Sequence, residues 1–169
     1  MDETTIGGKE RNKHVSNKFR AGRGAVDKEA VIGLRERAGR VQGHQVAHTD
    51  RKTIRAVIED NVADGVTLFT DEFGACRGIT DRHHTVNHSA GEDVWGIVHT
   101  NGIENLWALL KRGQHGIHHH ISPKHRQRYV DEFALRCTLN GVSFDGIMAH
   151  TVMVMVGKRL TYGALIHGA

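Results

Sequence analysis

Three carboxylates stand at positions where chemistry is conceivable. Asp2 opens the chain in "MDET", Asp71 closes the apolar run "VTLFTD", and Glu104 sits in "HTNGIENLWALLKR". Singly, each has an ordinary explanation. An acid at a strand end is commonly a loop residue or cap, and an acid in a first helical turn favours the helix dipole. Together they suit a different task. Phosphoryl transfer with two metals needs hard oxygen ligands that converge from separate strands and a helix on Mg²⁺ or Mn²⁺. One ion activates the attacking oxygen and the other stabilises the leaving one. Lys111 follows Glu104 by 111 − 104 = 7 residues, almost two helical turns, so both lie on one side of a helix. There Lys111 could reach a phosphate while Glu104 holds metal.

The histidines are a second candidate. His83, His84 and His88 cluster in "HHTVNHS", and His115, His118, His119, His120 and His125 follow the Lys111 segment. Imidazole is a good zinc ligand, but the spacing matches no zinc pattern and nearby cysteines are missing. Phosphate contacts or plain loop composition account for them better. Cys76 and Cys137 are far apart and form no CxxC pair, which disfavours a disulfide framework and fits a reducing cytoplasm. No GxSxG, P-loop or GxGxxG lies in a strand–turn–helix context.

Several elements must position these residues. "EAVIGLR" is a short apolar, β-branched run and predicts a buried strand. "GRVQGHQVAHT" predicts its hairpin partner, with Ala38-Gly39 in the turn. Residues 50–65 predict a helix, with Thr49 or Asp50 as N-cap, Ile54, Val57, Ile58 and Val62 at helical spacing, and Gly65 closing it. "VTLFTDEFG" is the next strand, and residues 74–98 predict loops with short elements. In the Glu104 segment, Ile103, Leu106, Trp107 and Leu110 define one buried stripe. The last helix is expected to start at Ser122 (N-cap) and Pro123 and to end at Asn140-Gly141. Its inner side would carry Arg126, Tyr129, Val130, Phe133, Ala134 and Cys137. The remaining boundaries follow: 1–28 as a basic loop or arm after the first acid, 29–141 as the core, and 142–169 as a C-terminal tail in which "GKRLTYGALI" is short and mixed. The arm carries Lys9, Arg11, Lys13, Lys18, Arg20 and Arg23.

A chain of 169 residues with 25% charged and 38% apolar residues fits one globular domain rather than a disordered one. The formal charge of +4 suits a polyanion partner as well as a solvated surface. The start is polar from its second residue, unlike a signal peptide, and the apolar run "TVMVMVG" is too short to span a bilayer.

The stretches "MDETTIGGKERNKH", "TDEFGACRGI", "HHTVNHSAGE", "VHTNGIENLWALLKRG", "HHHISPKHRQRYVDEFALR" and "GKRLTY" together resemble the catalytic domain of the ISXO-like group of bacterial insertion-sequence transposases, a DDE-type family. They run in the family's order and span nearly the whole chain. The resemblance implies an RNase H-like α/β fold with a mixed central sheet flanked by helices. It implies metal-dependent DNA cleavage and strand transfer with Mg²⁺ or Mn²⁺ in a two-metal site. The partners would be transposon-end and target DNA, with a homo-oligomer assembled on DNA in the bacterial cytoplasm at the nucleoid. By motif, the three acids fall on Asp2 of "DET", Asp71 of "TDE" and Glu104 of "NGIEN", where some relatives have Asn. Lys111 of "LKR" matches the basic residue that follows the third acid, and Arg112, Lys124 and His125 are further expected DNA contacts.

In full-length relatives a zinc ribbon and a helix-turn-helix often precede the first acid, which ends the first strand of the sheet. Asp2 stands directly after Met1. The expectation is therefore an N-terminally truncated chain whose first strand is lost, leaving its neighbour's ladder unpaired. Such a chain would fold poorly and would not transpose. The alternative function is accordingly an inactive remnant that binds DNA through its basic arm and His-rich loops. A third is a nuclease with the same metal site that cuts without joining.

Overall fold

A computed structural model describes residues 1–7, 14–18, 28–37, 39–70, 78, 82–85 and 101–167. Strand β2 (Glu29–Arg35) is the middle of a three-stranded antiparallel sheet, between β1 (Asp2–Ile6) and β3 (Val41–Val46). Its five inner residues, Ala30 to Leu34, are all buried. A strand apolar on both faces must be covered on both, and the two sets of side chains alternate. Val31 packs with Trp107, Leu110, Val130 and Phe133 on one face. Ile32 and Leu34 pack with Met1, Ile54, Ile58 and Leu68 on the other. The result is a mixed α/β architecture with helices on both sides of the sheet.

The first strand is present. Asp2–Ile6 forms β1, paired from Asp2 opposite Gly33 to Ile6 opposite Glu29. This corrects the expectation of an unpaired ladder beside β2 and of a loop running directly from the first acid. Thr4, Thr5 and Ile6 are β-branched and suit a pleated strand, and the edge of β2 supplies their hydrogen bonds. β3 (Val41–Val46) returns along the other edge after a tight loop, in which the Glu36 N–H donates to the Arg40 carbonyl at 3.0 Å. Ala38 itself lies outside the described residues.

α1 (Arg51–Asn61) starts as expected at Asp50, whose carboxylate accepts the Thr53 N–H at 2.8 Å. It stops earlier than expected. Val62 is its C-cap, and Gly65, with φ +80°, belongs to the following turn. β4 (Leu68–Thr70) and β5 (His83–Thr85) pair in parallel. The Met1 amino group donates to the Phe69 carbonyl at 2.7 Å, so β4 meets the start of β1.

α2 (Asn101–Gly113) buries the whole expected stripe of Ile103, Leu106, Trp107 and Leu110. It continues as a π-turn over Gln114–His118 and leaves through His119, a non-glycine residue at φ 55°. Ser122 caps a 3-10 turn at Pro123–His125 rather than the last core helix, and α3 (Arg126–Thr138) begins one residue later. Its buried side is Arg126, Val130, Phe133, Ala134 and Cys137.

α3 also closes the outer edge of β3. The Gln45 N–H donates to Gln127 Oε1 at 2.7 Å and Gln127 Nε2 donates to the Gly43 carbonyl at 2.6 Å. The Val41 N–H donates to Thr138 Oγ1 at 3.0 Å. An edge strand otherwise presents unpaired backbone groups. At the start of α3, buried Arg126 pairs with Glu29 at 2.5 Å, and Gln45 Nε2 donates to the same carboxylate.

Beyond α3 the C-terminal tail is helical over much of its length. The segment forms α4 (Phe144–Met155), capped by Ser143, and α5 (Tyr162–His167). α4 is apolar around most of its circumference, so it lacks the one-sided pattern that marks a surface helix. None of its residues is buried, and Phe144, Met148, Val152, Met153 and Met155 are all exposed.

Close helix–sheet contact depends on residues without side chains. A Cβ on Gly43 would lie 2.3 Å from Val130 Cγ1. Gly43→Ala should therefore destabilise the fold by about 1–3 kcal/mol, the range of overpacked cores. Adding Val130→Ala should recover part of this loss. Urea denaturation of the two single variants and the double variant measures the coupling, and strictly additive losses would show that the two residues do not meet.

Candidate active site

The site begins with a hydrogen bond across the core. Asp2 is the first residue of β1 and points to the α2 face of the sheet, as Ile6 does further along. Its Oδ2 accepts from the Trp107 indole Nε1 at 2.8 Å, and its Oδ1 accepts from the Glu3 backbone N–H at 2.7 Å. Glu104 lies three residues before Trp107, so the two occupy neighbouring positions on one side of α2. Trp107 is buried in the stripe, whereas Glu104 is exposed in the helix's first turn. The structure thus brings Asp2 to the face of α2 that carries Glu104.

Two contacts set the position of α2. At its start, Arg35 Nη1 donates to the Gly102 carbonyl at 2.7 Å. At its end, the π-turn carries buried Gln114 inward, where Nε2 donates to the Gly7 carbonyl at 3.3 Å. The helix therefore follows β1 from the Asp2 end to the Gly7 end. Lys111 and Arg112 are exposed in its last turn. A rise of about 1.5 Å per residue puts them roughly 10 Å along the axis from Glu104. Lys124 and His125 lie beyond, in the turn where the Pro123 carbonyl accepts from Gln45 Nε2 at 3.3 Å. Asp2 stands at one end of β1 bonded to Trp107 of α2, and Lys111 and Arg112 lie in the last turn of that helix, toward the other end. Neither Lys124 nor His125 is brought to the acids.

Asp71 follows Thr70, the last residue of β4, and lies outside the described residues. Among the described residues no group of three or more His, Cys, Asp or Glu is placed to hold a metal ion. The donors at Asp2 and Glu104 are carboxylate oxygens, the chemistry that suits Mg²⁺ or Mn²⁺ and not a thiolate-loving ion. Sulfur chemistry has no support at Cys137, which is buried and whose thiol burial pushes above its ordinary range. Cys76 lies outside the described residues.

Three of the candidate histidines have local side-chain partners. His83 Nε2 is 2.8 Å from Thr70 Oγ1, the His84 ring stacks on Phe69, and the His118 ring meets Tyr129 edge-on. His88 lies outside the described residues. Burial pushes His83 below the ordinary imidazole value, with His84 and the terminal amino group acting in the same direction. Burial also lowers His44 on β3, against the opposing pull of Asp131.

Sequence reasoning missed Trp107, Gly33 and Arg35 as parts of this region. Trp107 looked like one member of an apolar stripe, although a buried indole always needs a partner for its N–H. Gly33 interrupts a β-branched run, a signal of close approach by another element.

A family profile described as the ISXO2-like transposase domain matches residues 1–138. The chain belongs to this transposase family. The family's general business is DNA transposition, and the matched region ends with α3. No curated protein and no solved structure matched the chain. Among the described residues no helix of this transposase-family chain is long and apolar enough to cross a membrane.

The lowered histidines give the fold a pH dependence. Their folded-state values lie below 6.5, so as pH falls the unfolded chain takes up protons first. Stability from this source is present above about pH 6.5 and is lost as pH falls through the window below it. The double variant His44→Gln, His83→Gln should show a flatter loss of stability than the parent in urea melts between about pH 7 and 5. Parallel pH slopes would overturn the assignment.

Proposed function

We infer that the chain is the catalytic domain of an insertion-sequence transposase that cuts and joins DNA with divalent metal ions. The observation that carries this reading is the contact between Asp2 on β1 and the Glu104-bearing face of α2. The Trp107 bond ties Asp2 to the helix whose first turn bears Glu104, and Asp71 follows directly on the strand that touches Met1. An RNase H-like fold is supported by the antiparallel order β3-β2-β1, by the Met1 amino group bonding to Phe69 of β4, and by the separate parallel pair β4-β5.

Asp2, Asp71 and Glu104 would hold the metal ions. When bound, a pair of Mg²⁺ or Mn²⁺ ions lowers the pKa of the attacking oxygen and stabilises the negative charge on the leaving one. The protein's own residues must fix the carboxylates and hold the DNA in line. Cleavage adds water across a phosphodiester and frees a 3′-hydroxyl at the element's end. In joining, that 3′ oxygen attacks a phosphorus of target DNA, one P–O bond forms, and the target's own 3′ oxygen departs. Lys111 and Arg112 lie where a strand crossing the acids would run along α2. Lys124 and His125 would contact phosphates farther out. Two copies acting on paired ends fit a reaction that joins both ends of an element.

Labelled element-end DNA with Mg²⁺ tests the reading. Nicked and joined products are expected, reduced in Asp71→Ala and Glu104→Ala by more than the roughly 10–100-fold typical of outer-shell changes at metal sites. Lys111→Ala should weaken binding of all sequences and lower the salt slope by about 0.9 per lost phosphate contact. Nicks without joining would indicate a nuclease. Salt-sensitive binding without nicks, indifferent to Glu104, would indicate a non-catalytic remnant.

A further inference from the structure

We propose that Trp107 and Gly33 act together as the positioning device of Asp2, setting the carboxylate plane through which the first acid meets its metal ion. The proposal rests on the metal-dependent reading above and names residues that this reading does not use.

Three observations converge on it. The Trp107 indole N–H holds one carboxylate oxygen of Asp2 at 2.8 Å, while the Glu3 backbone N–H holds the other at 2.7 Å. A carboxylate has roughly four lone-pair sites, and one donor on each oxygen fixes its plane. Next, Gly33 is the cross-strand partner of Asp2. A Cβ there would lie 2.6 Å from Trp107 Cζ2 and 2.7 Å from Cη2. The ring can approach the sheet closely enough to reach Asp2 only because this position has no side chain. Finally, Trp107 and Glu104 belong to the same turn of α2. One rigid element thus carries one acid and orients the other.

The chemistry of the donor matters. An indole N–H is a neutral donor that neither accepts nor titrates in the working range. Lysine or arginine in its place would bring a positive charge against the carboxylate and repel an incoming cation. Trp107 orients Asp2 while leaving its negative charge available to attract one. Donors that orient metal ligands typically change metal affinity about 10–100-fold when removed.

The test uses the full chain with Trp95→Phe, so that Trp107 is its sole indole, and with ¹⁵N label. Stepwise Mg²⁺ should shift the Trp107 indole N–H resonance to saturation, and Mn²⁺ should broaden it away. Calorimetry should find Mn²⁺ binding that Asp2→Asn abolishes and that Trp107→Phe weakens by about 10–100-fold. Gly33→Ala should displace the indole resonance before any metal is added and weaken Mn²⁺ binding similarly. Ile58→Ala, a change in the core on the opposite face of the sheet from Trp107, should lower stability and leave Mn²⁺ affinity within about twofold, since it touches no outer-shell donor. If Trp107→Phe does not fold, the indole resonance of the folded chain decides alone. Asp2-dependent Mn²⁺ binding with an unmoved indole resonance, or with equal affinity in folded Trp107→Phe, would overturn the proposal and leave the metal reading intact. A parent chain with no Asp2-dependent Mn²⁺ binding would overturn both.

Discussion

Helices can sit close to the central strands of this protein only where those strands lack side chains, and much of the fold depends on that closeness. Gly33 admits the rings and branches of Trp107 and Ile103, Gly43 admits Val130, and Gly113 admits the Phe133 ring into α2 itself. Each glycine gives up backbone rigidity. The return is close packing between layers, where dispersion contacts are dense. At Gly33 it is also polar, since the approach of the indole allows its N–H to reach Asp2.

Charge is arranged along the same axis. α2 begins beside Arg35 with Glu104 in its first turn and ends with Lys111 and Arg112. Both placements agree with the helix dipole, and both agree with a strand of nucleic acid crossing an acidic end and a basic one. The helix needs no special device to hold both charges where its dipole favours them. The π-turn after Gly113 is a local exception. It carries Gln114 inward to Gly7 and ends at His119 in a sparsely populated backbone conformation, the kind of cost retained when the surroundings fix it.

Elements with a strong period were legible in the sequence. The buried run of β2, the α1 pattern with its cap at Thr49 or Asp50, and the stripe of α2 all stood in the order of residue types. β1 was not legible because the strength of "DETTI" comes from the edge of β2 and not from its own apolar content. α4 escaped because it is apolar on nearly every side and shows no period. The acids could be picked out only as a set, since each alone has a dull explanation. Nothing local told that Trp107 would turn its nitrogen toward residue 2, because that bond spans 105 positions of sequence. Long-range polar pairing leaves no local pattern, and only the glycine opposite Asp2 hinted at a close neighbour.

The closing of the β3 edge has a consequence for synthesis on the ribosome. The covering contacts span 82 positions from Gln45 to Gln127 and 97 from Val41 to Thr138. The β2–β3 hairpin is local and can pair as soon as it emerges. Its outer edge stays open until most of the remaining chain has been made, an interval of several seconds at about 5–20 residues per second. During that interval nascent copies on one message each present a ready β-edge to the next. Pairing between them competes with the arrival of α3.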